Sequence, residues 1–242
     1  MREWQGKRYW LVGASEGLGA ALAQVISRAG AHVILSARNA DRLAEVAASL
    51  PGPSTVQAMD IADDDSVAAA AKAVGEVDGV VLLAGVYWPM TARAWDAAQA
   101  TAMADINFTG MVRVLGQVVP GMVARDAGHV VITGSLSGFR GLPGAIGYGA
   151  AKAATMSLAE TMYADLRKTG VCVQLANPGF IRTRLTDKND FDMPFIMEPD
   201  IAARAMFEHM NGDRFKTSFP TLFSWVFRLS QFLPDWLYYR IF

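Results

Sequence analysis

The chain has 242 residues, 52% of them hydrophobic and 19% charged, with a formal net charge of −1. That composition suits a globular unit with a large core, and the balanced charge gives no field that would gather nucleic acid, so no nucleic-acid partner is expected. Three histidines and one cysteine leave too few ligands for a metal centre. A single cysteine also excludes an internal disulfide and fits a reducing compartment.

Read from the N-terminus, the opening MREWQGKRYW carries charges but no apolar run of secretory length. A cytoplasmic location is therefore expected. Short apolar runs then fall at 8–13, 32–37, 55–60, 80–84, 129–134 and 171–177. Most are rich in Val, Ile and Leu without polar alternation, as strands buried on both faces of a parallel sheet are. Between them Leu18, Leu22, Val25 and Ile26 mark one helical stripe, and Leu43, Val46, Ala47 and Leu50 another. This alternation predicts an α/β fold, a doubly wound parallel sheet of about seven strands with helices on both faces. No linker or repeat interrupts it, so residues 1–242 read as one domain. Cys172, set between two valines, reads as a buried structural thiol.

The first run leads into Gly13-Ala14-Ser15-Glu16-Gly17-Leu18-Gly19, between a strand and a helix. Glycines there let backbone approach a pyrophosphate, and the helix start offers free N–H groups and partial positive charge. A plain strand–helix turn would need only one glycine. Three of them favour a dinucleotide and make the sheet Rossmann-like. The second run ends Ser36-Ala37-Arg38-Asn39, where an NAD site would place a carboxylate for the ribose 2′-hydroxyl. Arg38 supplies a fixed cation instead, which suits a 2′-phosphate, with Ser15 as a further donor. Taken alone, Arg38 would be a solvated residue; with the glycine loop it points to NADP(H).

The fifth run ends at Ser135, and after a Gly- and Pro-containing loop Tyr148-Gly149-Ala150-Ala151-Lys152 enters a helix. Residues four apart share a helical face. A phenol titrates near pH ~10, and a neighbouring ammonium would draw it toward the operating range. Any Tyr and Lys four apart can also be an ordinary surface pair. Ser135 thirteen residues before Tyr148 changes that reading. With this spacing the chain resembles the short-chain dehydrogenase/reductase family, whose signature is Tyr-x-x-x-Lys with an upstream Ser. The family's fourth catalytic residue, an Asn, matches Asn107 within Asp105-Ile106-Asn107-Phe108.

The resemblance runs to about Thr183 and implies further roles. The adenine-contacting Asp is matched by Asp60, followed by Ile61, and Ala84-Gly85 would lie under the adenosine ribose. Pro178-Gly179 matches the turn after the sixth strand, with Ile181 and Thr183 holding the nicotinamide carboxamide. Lys152 would also hold the nicotinamide ribose, and Asn107 a water joining Lys152 to solvent. Ser135 and Tyr148 would bind a carbonyl oxygen, Tyr148 acting as general acid or base. The expected activity is NADP(H)-dependent interconversion of a ketone or aldehyde and an alcohol. A nucleotide-binding sensor that has lost catalysis is the rival from another class, and an isomerase or dehydratase a lesser one.

Three positions depart from the family pattern. Val12 replaces a Thr, and Glu16 stands where NADP-preferring relatives often carry a basic residue. Leu82-Leu83-Ala84-Gly85 replaces Asn-Asn-Ala-Gly, and the two leucines are expected to bury apolar surface in place of amide hydrogen bonds.

Trp88, Phe180, Phe191, Phe195 and Met197 point to a hydrophobic substrate, with Arg182 and Arg184 the only candidates for clamping a carboxylate. Residues 184–199 read as a loop and candidate lid. Residues 220–242 carry Leu222, Trp225, Val226, Leu229, Phe232 and Leu233 at helical spacing. The favoured reading is that this stripe covers the substrate pocket or a subunit interface in a homodimer or homotetramer. The second reading is an interfacial helix on a membrane, since the run is short of the ~20 residues that span a bilayer.

Overall fold

The computed structural model describes residues 2–188 and 192–241. Its centre is a parallel sheet of β1 (Arg8–Val12), β2 (His32–Ser36), β3 (Ser54–Val56), β4 (Gly79–Leu82), β5 (Gly128–Thr133), β6 (Val171–Pro178) and β7 (Lys216–Phe219). The spatial order is β3-β2-β1-β4-β5-β6-β7. The chain works outward from β1 to β3, then resumes on the other side of β1 with β4. A crevice forms at such a reversal because the connecting loops part in opposite directions.

Alternate strand residues feed two cores. Tyr9, Leu11, Val33, Leu35, Val81 and Val131 face α1 (Gly17–Arg28) and α7 (Pro199–Met210), meeting Leu22, Ile26, Ala203 and Met206. Trp10, Val12, Ile34, Val80, Leu82 and Ile132 face α3 (Asp64–Val74), α5 (Gly110–Ala124) and α6 (Ile146–Leu166). Burial on both faces explains why the strands read as unbroken apolar runs.

The other helices are α2 (Ala40–Ser49), α4 (Ala97–Ala104), α8 (Thr221–Ser230) and α9 (Asp235–Ile241). Asn39, Asp63 and Asp96 cap α2, α3 and α4 by accepting from main-chain N–H groups. Helix α1 differs: Glu16 precedes it but makes no side-chain cap, which leaves its first N–H groups for another partner.

The structure corrects some boundaries. β3 stops at Val56, though Gln57 and Met59 still donate to Leu35 and Ala37 carbonyls. It is an edge strand with partial burial, so apolar content overstates its length. β7 lies at the opposite edge, and its sequence KTSF shows no apolar run to betray it. Cys172 is half-buried and makes no disulfide. The first two residues of 184–199 prolong the β6 exit loop, and a one-turn 3₁₀ helix follows at Thr186–Lys188. The return is pinned by the Ile181–Met197 bridge, and Pro199 already starts α7.

Candidate active site

A cleft of about 1620 Å³ opens at the carboxyl ends of the strands. Every β-strand from β1 to β6 delivers its exit loop there, so residues far apart in sequence share one wall. Gly13, Ser15, Glu16, Gly17, Leu18, Gly19, Arg38, Asp60, Ile61, Ala84, Gly85, Pro178, Gly179, Ile181 and Thr183 all line it, as do Ser135, Tyr148 and Lys152. Among the described residues no group of three or more His, Cys, Asp or Glu side chains is placed to hold a metal.

The glycine loop is shaped by close approach. Gly13 has φ +98°, and a Cβ there would lie 2.4 Å from the Ala84 nitrogen. A Cβ on Gly19 would lie 2.0 Å from the Gly13 carbonyl oxygen. Side chains at these positions would push the loop off both the end of β4 and the start of α1. The uncapped α1 N-terminus therefore faces the cleft across bare backbone, an arrangement that fits an anionic pyrophosphate. Glu16 turns its carboxylate to Arg42 at 2.9 Å and Arg184 at 2.7 Å. Arg38 is exposed at the rim and makes no ion pair with another described residue.

The reactive wall comes from β5 and α6. Ser135 sits at the turn after β5, its Oγ 2.9 Å from Ser137 Oγ and accepting from the Ser137 N–H at 3.2 Å. Tyr148 and Lys152 occupy the first turns of α6. The Tyr148 ring meets Tyr87 edge-on at 5.2 Å. Burial pushes the Tyr148 phenol up to about 12, against a hydrogen bond with Ser135 that pulls down, while Tyr87 adds a small upward push. Lys152 is buried, donates to the Thr133 carbonyl at 2.8 Å, and is drawn down to about 8 by desolvation. Its ammonium lies 5.7 Å from the Tyr148 ring centroid. Burial thus outweighs any lowering by Lys152, whose ammonium is bonded to the Thr133 carbonyl, and the Tyr148 phenol stays above its ordinary value.

Asn107 lies behind this wall and is not among the cleft-lining residues. It is fully buried in a π-helical turn, Asp105–Thr109, between α4 and α5. Its amide pairs with both main-chain groups of Val86, accepting from N at 2.9 Å and donating to O at 2.8 Å. Its own carbonyl accepts from Thr155 Oγ1. Asn107 therefore clamps the loop after β4. Gly85 makes room for it, since a Cβ there would stand 2.9 Å from the Asn107 Oδ1. Leu82 is fully buried, whereas Leu83 lines the cleft. Apolar burial replaces the missing amide at Leu82, as expected, but Leu83 is only half-buried and presents part of its surface to the cleft.

On the substrate side Trp88 and Phe180 line the cleft. Met197 instead packs against the core near α7, and Phe195, 55% exposed, leans on Phe223 from outside. Phe191 lies outside the described residues. Arg182 is paired with Glu198 and Arg184 with Glu16, so neither is a free carboxylate clamp. Lys188 reaches across to the Tyr87 carbonyl at 2.8 Å and stacks over Trp88 at 4.4 Å, tying the start of the candidate lid to the opposite wall.

Several lining residues escape sequence reading. Arg42, Ser137 and Tyr87 carry a usable signal, because each sits next to or one helical turn from a motif residue. Phe223 and Phe227 do not. They lie four apart on α8, on the face opposite the stripe that drew attention. The expected covering of the pocket by that stripe is reversed: Leu222, Trp225, Val226 and Leu229 point to solvent.

Known proteins share this fold and sequence pattern. The family model described as short chain dehydrogenase matches residues 7–193. An uncharacterized oxidoreductase of Myxococcus xanthus is 34% identical over 98% of this chain and 97% of its own length. The mouse dehydrogenase/reductase SDR family member 7B is 31% identical, over 73% of this chain and 58% of its own. A solved structure described as a short chain dehydrogenase/reductase family protein superposes with a TM-score of 0.78 at 31% identity, covering 85% of this chain and 90% of that one. With a matching fold and sequence along most of its length, this chain belongs to the short-chain dehydrogenase/reductase family of oxidoreductases, which use nicotinamide cofactors.

Proposed function

We propose that the protein uses NADP(H) to interconvert a hydrophobic ketone or aldehyde and the corresponding alcohol. The observation that carries the chemistry is the convergence of Ser135, Tyr148 and Lys152 on one wall of an open cleft. The bound nicotinamide would supply or accept the hydride. The protein's part is proton handling and positioning. A phenol raised to about 12 is fully protonated at neutral pH and is held ready to donate. Ser135, fixed by Ser137, offers a second hydroxyl to the same substrate oxygen, where negative charge grows as the carbonyl is reduced. Lys152 holds positive charge behind Tyr148 and stabilises the phenolate left after proton donation. Asn107 keeps the loop after β4 in place beneath the adenosine side of the cleft.

The preference for the phosphorylated cofactor rests on charge at the end of β2. Glu16 is already neutralised by Arg42 and Arg184, which leaves Arg38 without a carboxylate partner among the described residues. A 2′-phosphate meets a cationic rim there, and a 2′-hydroxyl finds no acceptor at Ala37. The hydrophobic substrate is supported by Trp88, Phe180, Phe223 and Phe227 along the cleft.

The test is consumption of NADPH and of NADH, at equal concentrations, with a panel of apolar ketones, aldehydes and quinones. Turnover with NADPH is expected to exceed that with NADH. Replacing Arg38→Ala should raise KM for NADPH about 10- to 100-fold and leave NADH unchanged, as loss of a charge-assisted hydrogen bond does. Equal or better turnover with NADH would overturn the cofactor preference, and no turnover with any carbonyl would overturn the enzymatic reading.

A further inference from the structure

The C-terminal helix pair has two unlike faces. Phe223 and Phe227 of α8 look inward and line the cleft, while Ser224 and Ser230 are buried beneath. The outward face carries Leu222, Trp225, Val226 and Leu229. It continues through Phe232, 86% exposed, to Trp236, 70% exposed, and Tyr239 on α9. Isolated exposed apolar residues need no explanation, but a continuous set over two helices does.

This face is firmly mounted. Arg140 donates to the carbonyls of Ser230 and Leu233, pairs with Asp235 and stacks on Tyr238 at 4.0 Å. Tyr238 in turn is buried and donates to the Gly141 carbonyl. The helix pair is thus fastened to the loop that joins Ser135 to Tyr148, and its apolar side is displayed by a rigid base.

Charge decides what such a face can meet. From Thr221 to Ile241 the charged side chains are Arg228, Asp235 and Arg240, and the one acid is held by Arg140. A two-fold contact of this face with a second copy would bury the arginines of both copies, Arg240 and the Ser218-bonded Arg228, in one interface with no free carboxylate on the face to pair them. An anionic lipid headgroup layer provides that complement. Trp225, Trp236 and Tyr239 are the residue types that settle at the boundary of headgroup and acyl chain. No described helix is long and apolar enough to cross a membrane, so the contact lies in the interface plane.

We propose that the outward face of α8 and α9 docks the protein on an anionic bilayer surface, bringing the Phe223–Phe227 wall of the cleft next to the lipid. Access of a bilayer-dissolved substrate to that wall rests on the function proposed above; the docking itself does not.

The full-length protein is mixed with vesicles of equal parts phosphatidylcholine and phosphatidylglycerol and sedimented, while Trp emission is followed in parallel. The protein should pellet with the vesicles with a blue-shifted emission, and bind pure phosphatidylcholine vesicles tenfold or more weakly. The double substitution Trp225→Ser, Leu229→Ser should weaken binding at least tenfold while thermal stability and turnover of a water-soluble carbonyl stay unchanged. As a check on fold-independent loss, Arg240→Glu alone should weaken binding to the anionic vesicles only. Failure of the unmodified protein to pellet would overturn the proposal. So would unweakened binding by the double variant, or light scattering that shows a dimer lost on that substitution together with no vesicle binding. The vesicle readout needs no activity, so failure of the proposed reaction leaves it interpretable.

Discussion

Two polar clusters lie inside this protein, and both hold ionisable groups far from their ordinary titration range. On the wall of the cleft, Tyr148 is pushed up to about 12 and Lys152 down to about 8. Under the other face of the sheet, Tyr9 is raised to about 12 and His129 lowered to about 3. Desolvation is the leading cause in all four. The second cluster is closed: Tyr9 donates to His129 Nδ1 at 2.9 Å, and His129 Nε2–H donates to Gln174 Oε1 at 2.8 Å. Gln174 then donates to the carbonyls of His209, Gly212 and Arg214, holding the end of α7 and the loop after it. Tyr9, His129 and Gln174 each have their partner inside the protein. The first cluster opens on a cleft, where a substrate oxygen has room to become the missing partner. A shifted pKa therefore marks chemistry only where an approach path exists.

Substitutions can break or sharpen this contrast. Tyr148→Phe should lower kcat by about 10²- to 10⁴-fold, the usual worth of a general acid, with thermal unfolding and NADPH fluorescence titration unchanged. A variant keeping most of its rate would remove Tyr148 from the chemistry. His129→Ala should do the reverse. It orphans the Tyr9 hydroxyl and the Gln174 carbonyl oxygen in a dry interior and should cost about 2–4 kcal/mol of stability, read by urea unfolding. kcat at a temperature where the variant stays folded should stay within about twofold of the parent, since the cluster does not reach the cleft.

The pH responses should separate as well. His129 is neutral when folded and titrates near ~6.5 when unfolded, so the unfolded chain takes up more protons below that value. Stability should fall as pH drops from about 6.5 toward 3, and His129→Ala should flatten that slope. Activity should respond at the alkaline end instead. Alcohol oxidation needs the Tyr148 phenolate and should rise with pH by up to about tenfold per unit. Carbonyl reduction uses the phenol and should decline only as Lys152 loses its charge above about 8. The smallest expected effect is that of Ser137→Ala. Losing one hydroxyl that orients Ser135 should lower kcat a few-fold, about 1 kcal/mol, with KM for cofactor unchanged. A kcat drop as large as that of Tyr148→Phe would mean Ser137 itself contacts substrate.

Much of the site was legible because it depends on backbone. Gly13, Gly17 and Gly19 are visible at fixed spacing, and the clashes a Cβ would meet at Gly13 and Gly19 give the reason. Ser135, Tyr148 and Lys152 were legible because one strand end and one helix start carry all three. Asn107 was legible as a residue but not in its use, since its bonds to Val86 come from another loop. β7 was hidden because a short edge strand needs no apolar run.

Local sequence, then, determined the central strands, the glycine loop and the grouping of Ser135, Tyr148 and Lys152, the residues proposed to handle the proton, because these follow from periodicity, glycine and spacing along one segment. Tertiary structure alone decided which charges stay free and which way α8 faces. Glu16 finds Arg184 and Arg140 finds Asp235 across 168 and 95 positions, and such long-range ion pairs leave no mark in a sequence window. The same holds for Phe223 and Phe227. Their helix has apolar residues on both sides, and only the cleft wall beside them determines which side is buried.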